Sequence, residues 1–462
     1  MRRDVQELLY RLQSGIEGRE AELRVQENRD SRMELLSGKP AANVHSRRAG
    51  VSARVCRGGS FGFASCGEIS EAALERCLET ASDNAEFLHT HAPQNAPTRN
   101  RLPADFIAQT TGKTDSAQAE QMEFLRALDD RIRRYPKLVG RRLELRADSS
   151  ESYVLSGDGG GASLYLPRIY LLITLTAETP FGEPVELCRV LGGYGGFGDW
   201  FGSGVDILPT AERLYEQLMQ KREGVYPAAG KSVCVLGGSL SGMLAHEAVG
   251  HTVEADLVQA GSIGGQYLGK PVASPLVSMT DFAVNAFGKP VPLPIPADHE
   301  GTAGRDAPLI RDGVLVGYMN DRASAMRFGM EPLGNARAYC FADEPLIRMR
   351  NTAIHPGTGK LEELISSVDE GYYLTDTNNG QADTNGEFMF GVTMGYEIHK
   401  GKLGRAILDT TISGMAFELL KTVDMVSEDV IWDSSGYCGK KQLIPVSVGG
   451  PALRCTVNVG GR

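Results

Sequence analysis

The sequence predicts an α+β protein. It reads as an N-terminal α/β domain with helices on a mostly antiparallel sheet, then a motif helix after a central strand, then a β-rich, barrel- or sandwich-like C-terminal domain. Three observations carry this. Helical and strand-like apolar patterns alternate up to about residue 225. A short apolar run, Ser232-Val-Cys-Val-Leu236, is followed by a glycine turn and a helical stretch. After residue 256, short apolar runs alternate with Gly, Pro, Asn and Asp clusters, as in an all-β unit. A chain of 462 residues should hold two or three domains. The expected divisions are an α/β domain at 1–89, a linker at 90–115, a central α/β region at 116–225 and the β-rich domain at 226–462.

Taken in order, residues 4–14 predict a helix with Val5, Leu8, Leu9 and Leu12 on one face. Strands are expected at Ala21–Val25, Ser31–Ser37, Gly50–Arg57 and Ser60–Ser65, then a helix at Ile69–Phe87. Residues 90–115 are rich in Pro, Asn and Thr and read as a loop or linker. His89 and His91 stand at its start and read as a solvated pair. A helix is expected at Ser116–Arg134, stopped by Pro136, then strands at Arg141–Ser149, Glu151–Ser156 and Leu164–Glu178. The run Gly192-Gly-Tyr-Gly-Gly-Phe-Gly198 lacks the Lys-Ser or Lys-Thr of a phosphate cradle and reads as a flexible turn. A helix at Thr210–Glu223 leads into the central strand. Beyond it, helical pieces at Asp321–Phe328, Leu361–Val368 and Ala416–Val423 interrupt the β pattern.

Composition narrows the function. The net charge of −10 argues against a general nucleic-acid surface, which needs a basic face. No run of about 18 apolar residues is present to span a membrane. The N-terminus has no secretory pattern, and the eight scattered cysteines form no C-x-x-C pair. A reduced, cytoplasmic setting is expected.

The chemistry concentrates in Ser239-Leu-Ser-Gly-Met-Leu-Ala-His-Glu-Ala-Val-Gly-His251. Two imidazoles and a carboxylate lie within six residues, which suggests a metal site with its own general base. Ser239 or Ser241 could cap the helix. The histidines are five apart, not four as in the common zinc-hydrolase helix. In a regular α-helix that leaves them about 140° apart. A π-bulge would bring them back to one side, and Gly250 could permit the distortion or let the helix end. The plain alternative is two unrelated histidines, one buried and one at a helix end. A third ligand is needed, and Glu254 and Asp256 are the nearest acidic candidates.

The stretch from Ser241 to His251, followed by Thr-Val-Glu-Ala-Asp256, resembles the H-E-x-x-x-H signature of the TldD/PmbA family of zinc metallopeptidases. Some members carry the name modulator of DNA gyrase. Weaker likenesses run in the family's order. They include Gly50-Val-Ser-Ala-Arg-Val55, Asp298-His-Glu-Gly301, Arg348-Met-Arg-Asn-Thr352 and Tyr437-Cys-Gly-Lys440. The intact motif resembles the TldD-type catalytic subunit, since the PmbA (TldE)-type subunit lacks it.

The resemblance implies Zn2+ held by His246, His251 and Cys438, with Glu247 as general base. It also implies unfolded or short peptides as substrates, and a dimer with a PmbA/TldE-like partner or with itself. The runner-up reading is a non-catalytic partner subunit or interaction protein of such a complex. A zinc amidase or esterase would use the same residues. Pro290–Gly301 and the Gly192 loop are the expected mobile cavity walls.

Overall fold

The computed structural model describes residues 3–91, 106–109, 117–202 and 206–461. The N-terminal half is one long sheet. Its strands are β1 (Ala21–Leu36), β2 (Lys39–Arg57), β3 (Ser60–Cys66), β4 (Phe106–Gln109), β5 (Leu138–Ser156), β6 (Gly161–Glu178) and β7 (Pro184–Tyr194). They lie in the order β3-β2-β1-β5-β6-β4, with β7 also beside β6. Pairing is antiparallel throughout, except that β4 runs parallel to the start of β6.

Two expectations need correction here. The segments 1–89 and 116–225 are not separate sheets, because β1 pairs with β5 from Glu22↔Ser156 to Leu36↔Arg142. The expected strand pairs 21–25/31–37 and 141–149/151–156 are each one continuous strand. Their polar middles read as breaks in a sequence. In the fold, β1 has a strand on both sides and its charges are paired across the sheet, with Arg32 Nε 2.8 Å from Glu144 Oε1 and Arg47 Nη2 2.9 Å from Glu27 Oε2.

The sheet carries a core at each end. Helices α1 (Arg3–Ile16) and α2 (Glu71–His91) cover Leu23, Val25, Val51, Ala53 and Leu155 with Val5, Leu8, Leu9, Leu74 and Ala81. Helices α3 (Gln118–Ile132) and α5 (Leu208–Arg222) cover the other end, where Leu125, Leu128, Leu214 and Leu218 meet Leu143, Leu171 and Ile173. Each of these Leu, Ile and Val side chains moved out of water contributes about 1.5–3 kcal/mol before ordering costs. His89 and His91 end α2, with His91 exposed and stacked on Phe87 at 4.2 Å. Of the expected linker, 90–91 continue α2 and 106–109 are β4, while 92–105 and 110–115 lie outside the described residues. The glycine run is partly strand. At Gly192, with φ +124°, a Cβ would lie 2.1 Å from the Ile169 carbonyl oxygen, so the close approach of β7 to β6 demands glycine. A short helix, α4 (Phe197–Phe201), follows.

The C-terminal half contains a closed barrel. Strand β8 (Gly230–Leu236) pairs with Leu453–Val459, which pairs with Thr410–Met415, then Glu387–His399, then Glu370–Ala382, which returns to β8. The barrel option was therefore the right one of the two expected. Beside it lies a six-stranded sheet that includes Met279–Phe282, Asn351–Ile354 and Ser447–Gly450. The chain leaving β8 turns into the motif helix, whose Leu240, Leu244, Ala245, Ala248 and Val249 pack with Phe388, Phe390, Ile412 and Leu453 of the barrel.

Candidate metal centre

The helix after β8 changes its winding as it goes. Helix α6 (Gly238–Met243) is regular, Leu244–Val249 is a π-helix and Gly250–Val253 is 3-10. A π turn closes hydrogen bonds five residues apart, so residues five apart stack on one side. That is the distortion the His246–His251 spacing calls for. The two rings lie 5.2 Å apart, nearly perpendicular at 79°. Gly250 is needed for a different reason than backbone freedom. Its conformation is ordinary right-handed helix, but a Cβ there would sit 2.2 Å from Met349 Sδ. Neither Ser239 nor Ser241 caps the helix. Gly237 is the N-cap, and the Ser241 hydroxyl donates to the carbonyls of Gly238 and Pro451.

The third corner comes from far along the chain. Cys438 lies on a two-residue bridge, Tyr437–Cys438 against Ile444–Pro445. One ligand-type atom from each of His246, His251 and Cys438 falls within 4.8 Å of the others. Cys438 Sγ is 3.4 Å from His251 Nε2. The Glu247 carboxylate faces the same space, 3.9 Å from His246 Nε2 and 3.7 Å from His251 Nε2, and is partly open to solvent.

The donor set fits a metal ion on two counts. His246 is buried, yet neither ring nitrogen has a hydrogen-bond partner, and buried polar atoms in that state need an explanation. The surroundings of Cys438 favour its thiolate form. Burial alone would push its pKa up, but the imidazoles of His246 and His251 outweigh this and hold it down at about 4. A His2Cys set suits a borderline-soft ion such as zinc better than calcium or magnesium.

Glu254 and Asp256 take supporting places. The fully buried Glu254 accepts from His251 Nδ1 at 2.7 Å, which turns Nε2 toward the thiolate. Burial lowers the His251 pKa, but Glu254 and Cys438 override it and raise the group to about 10. Lys440 closes the arrangement, with Nζ 3.2 Å from Glu254 Oε1, 2.9 Å from Asp256 Oδ2 and 2.6 Å from the Ile347 carbonyl. The buried Arg348 donates to the carbonyls of Cys438 (2.6 Å), Lys440 (3.1 Å) and Gln442 (2.9 Å).

Sequence reasoning gave Lys440 and Arg348 no role. The available signal was Arg348-Met-Arg350 inside an otherwise apolar, strand-like stretch, where alternate cations must find buried acceptors. Segment Pro290–Gly301 lines a space of about 40 Å3, with Asp148, Arg168 and Ile444 opposite, that none of His246, Glu247, His251 and Cys438 borders. Gly192 lines a second, of about 620 Å3, with Arg189, Asp376 and Trp432. Among the described residues no helix is long and apolar enough to cross a membrane.

His246, Glu247 and His251 stand on a helix packed against the barrel, Cys438 reaches them from a distant segment, and the three nitrogen and sulfur donors have the chemistry of a zinc-binding set. Comparison with known proteins agrees. Residues 229–461 match the family described as PmbA/TldA metallopeptidase C-terminal domain, and 21–85 match PmbA/TldA metallopeptidase domain 1. A metalloprotease of Methanothermobacter thermautotrophicus is 30% identical over 96% of this chain and 95% of its own length. A Saccharolobus solfataricus protein named zinc metalloprotease TldD homolog is 32% identical over 68% of each chain. The solved structure of TldE from Thermococcus kodakarensis shares the fold, with a TM-score of 0.75 at 17% identity over 99% of this chain and 100% of that one. The chain belongs to the TldD/PmbA family of metallopeptidases.

Proposed function

We propose that this chain is the catalytic, zinc-dependent type of the family and hydrolyses peptide bonds in unfolded or short peptides. The convergence of His246, His251 and Cys438 beside the Glu247 carboxylate supports this reading above all. The two imidazoles and the thiolate would hold the zinc. When bound, zinc supplies Lewis acidity and brings the pKa of a water toward ~7. Glu247 takes the proton of the attacking water on its carboxylate. The same carboxylate hands that proton to the nitrogen of the departing amine. Glu254 fixes the ring of His251 throughout, and Arg348 and Lys440 fix the backbone that carries Cys438.

The name TldE of the Thermococcus kodakarensis neighbour supports a paired assembly, with a TldE-like partner or a second copy of this chain. The test is metal content and cleavage of an unfolded peptide for the wild type, His246→Ala and Cys438→Ala. About one zinc per chain, lost together with cleavage in both variants, is the expected result. A folded wild-type protein that takes up no zinc when supplied with it overturns the reading.

A further inference from the structure

The arm that carries Cys438 is poorly supported by its own backbone. Between Asp433 and Ser447 its described regular structure is the two-residue bridge at Tyr437–Cys438 and Ile444–Pro445. Such a short bridge does not fix a thiolate to a fraction of an ångström. Side chains from elsewhere must do so. Arg348 acts from the C-terminal half, where Glu254 and Asp256 also receive Lys440 of the arm. A second set reaches in from the N-terminal sheet.

That set is built around Arg168 on β6, which is 1% exposed. Its Nε and Nη2 donate to the two oxygens of Asp148 on β5, at 2.9 and 2.8 Å. This fork holds the guanidinium in one orientation. Nη1 then donates to the carbonyl of Ser434, at 2.9 Å. The Tyr170 hydroxyl donates to the same carbonyl, at 2.6 Å. On the other side of Gly436, the Tyr437 hydroxyl donates to Asp148 Oδ2, at 2.8 Å. The guanidinium also lies 5.0 Å from the centre of the Tyr437 ring, within cation–π reach. Ser434 and Tyr437 bracket the approach to Cys438, so both ends of that approach are tied to one pair, a buried arginine and a partly exposed aspartate. If the arm withdrew, Nη1 of a buried cation would lose its acceptor, which opposes withdrawal.

We propose that Asp148, Arg168 and Tyr170 are positioning residues that latch the Cys438 arm from the N-terminal sheet, so the metal centre of the C-terminal half is incomplete without them. This rests on the reading of His246, His251 and Cys438 as metal ligands. It gives the N-terminal half a share in the centre beyond stability. The latch touches neither metal nor substrate, and acts through Ser434 and Tyr437.

The test is Co2+ binding by the full chain, followed by the thiolate-to-cobalt absorption band and by competition with a chelator. Tyr437→Phe keeps the ring under Arg168 and removes only the hydroxyl, at a position that is 40% exposed, so folding should survive. Asp148→Asn removes the charge at the other end. Arg189→Gln is the control, because the Arg189–Asp376 pair (2.9 Å) also joins the two halves but does not touch the arm. Both latch variants should bind Co2+ about tenfold or more weakly, with a diminished band, at unchanged circular dichroism. The control should bind like the wild type. Latch variants with wild-type affinity and band would overturn the proposal. So would a control weakened as much as the latch variants, since that would mean a general loosening of the halves. Co2+ binding by the wild type separates failure of the latch from failure of the metal-centre reading, which shows as no binding by any variant.

Discussion

The two arms of the candidate centre are built by opposite means. His246, Glu247 and His251 stand on a helix whose apolar side is sunk in the barrel core, so their placement follows from local winding and packing. Cys438 stands on a segment with almost no regular structure, held by side-chain hydrogen bonds from residues roughly 90 to 290 positions away, as the Arg348–Cys438 and Asp148–Tyr437 links show. The first arm is a local solution that one stretch of sequence can encode. The second is a non-local one, spread over the whole chain. A change in the first arm should therefore disturb fold and metal together, and a change in the supports of the second should disturb the metal first.

The largest effect is expected where both arms stay whole. Glu247→Gln keeps every ligand and the shape of the helix but removes the proton acceptor. Cleavage of an unfolded peptide should fall by about 10²–10⁴-fold, with metal content unchanged. Peptide cleavage at the wild-type rate would remove Glu247 from the chemistry.

Breaking the helical arm comes next. Gly250→Ala sets a Cβ against Met349 Sδ at the junction of the π and 3-10 turns. Overpacking of this kind costs about 1–3 kcal/mol, read by urea unfolding, and metal binding should weaken in the same variant. Adding Met349→Ala makes room and should restore part of both losses. An unchanged unfolding midpoint for Gly250→Ala would mean that the junction yields easily.

This contrast explains what the sequence could show of the site. The spacing of His246 and His251 already called for a π turn if both rings were to share one side, because five residues on an ordinary helix point the rings apart. Glu254 and Asp256 stood out as acids, but nothing local distinguishes a metal ligand from a residue that steers one. Cys438 is one of eight cysteines, and family resemblance, not residue pattern, singled it out. Its supports are cations, Lys440 on the same arm and Arg348 and Arg168 far off in sequence, whose acceptors are backbone carbonyls and carboxylates that only the fold brings near. The same cause hid the continuity of the N-terminal sheet. The polar middle of β1, Gln26–Asp30, looks like a gap until β2 and β5 are placed on either side of it. The barrel showed in the repeated short β pattern, but its closure rests on the return of Glu370–Ala382 to β8, a long-range pairing.

Loosening the cysteine arm should give the smaller, metal-specific loss. Lys440→Met keeps the aliphatic stem and removes the cation that ties the arm to Glu254, Asp256 and the Ile347 carbonyl. Losing a supporting contact of this kind typically costs about 10–100-fold in metal affinity. Chelator competition would read it. A Lys440→Met chain with wild-type zinc affinity would show that the arm holds itself, and the contrast between the arms would lose its force.

The smallest expected effect sharpens the comparison by asking which arm carries the proton that a metal must displace. In the metal-free chain Cys438, held at about 4, has lost its proton well below neutrality. His251, raised to about 10, keeps its own through neutrality. Ligands bind a metal only in their deprotonated form. Metal binding at neutral pH should thus release one proton, from the helical arm and not from the cysteine. Below a pH of about 10 the proton on His251 competes with the metal, so affinity rises as the pH rises toward that value. Below about 4 the thiolate also protonates and the dependence steepens. Calorimetry of Zn2+ binding in buffers of different ionisation enthalpy counts the protons released. One proton at pH 7 fits an imidazolium–thiolate pair and equally an imidazole–thiol pair, which hold the same number of protons, so the ultraviolet absorbance of a thiolate in the metal-free chain, lost in Cys438→Ser, decides between them. No such absorbance at pH 7 would mean that the cysteine arm rests as a neutral thiol, and that the helical arm does not activate it in advance of the metal.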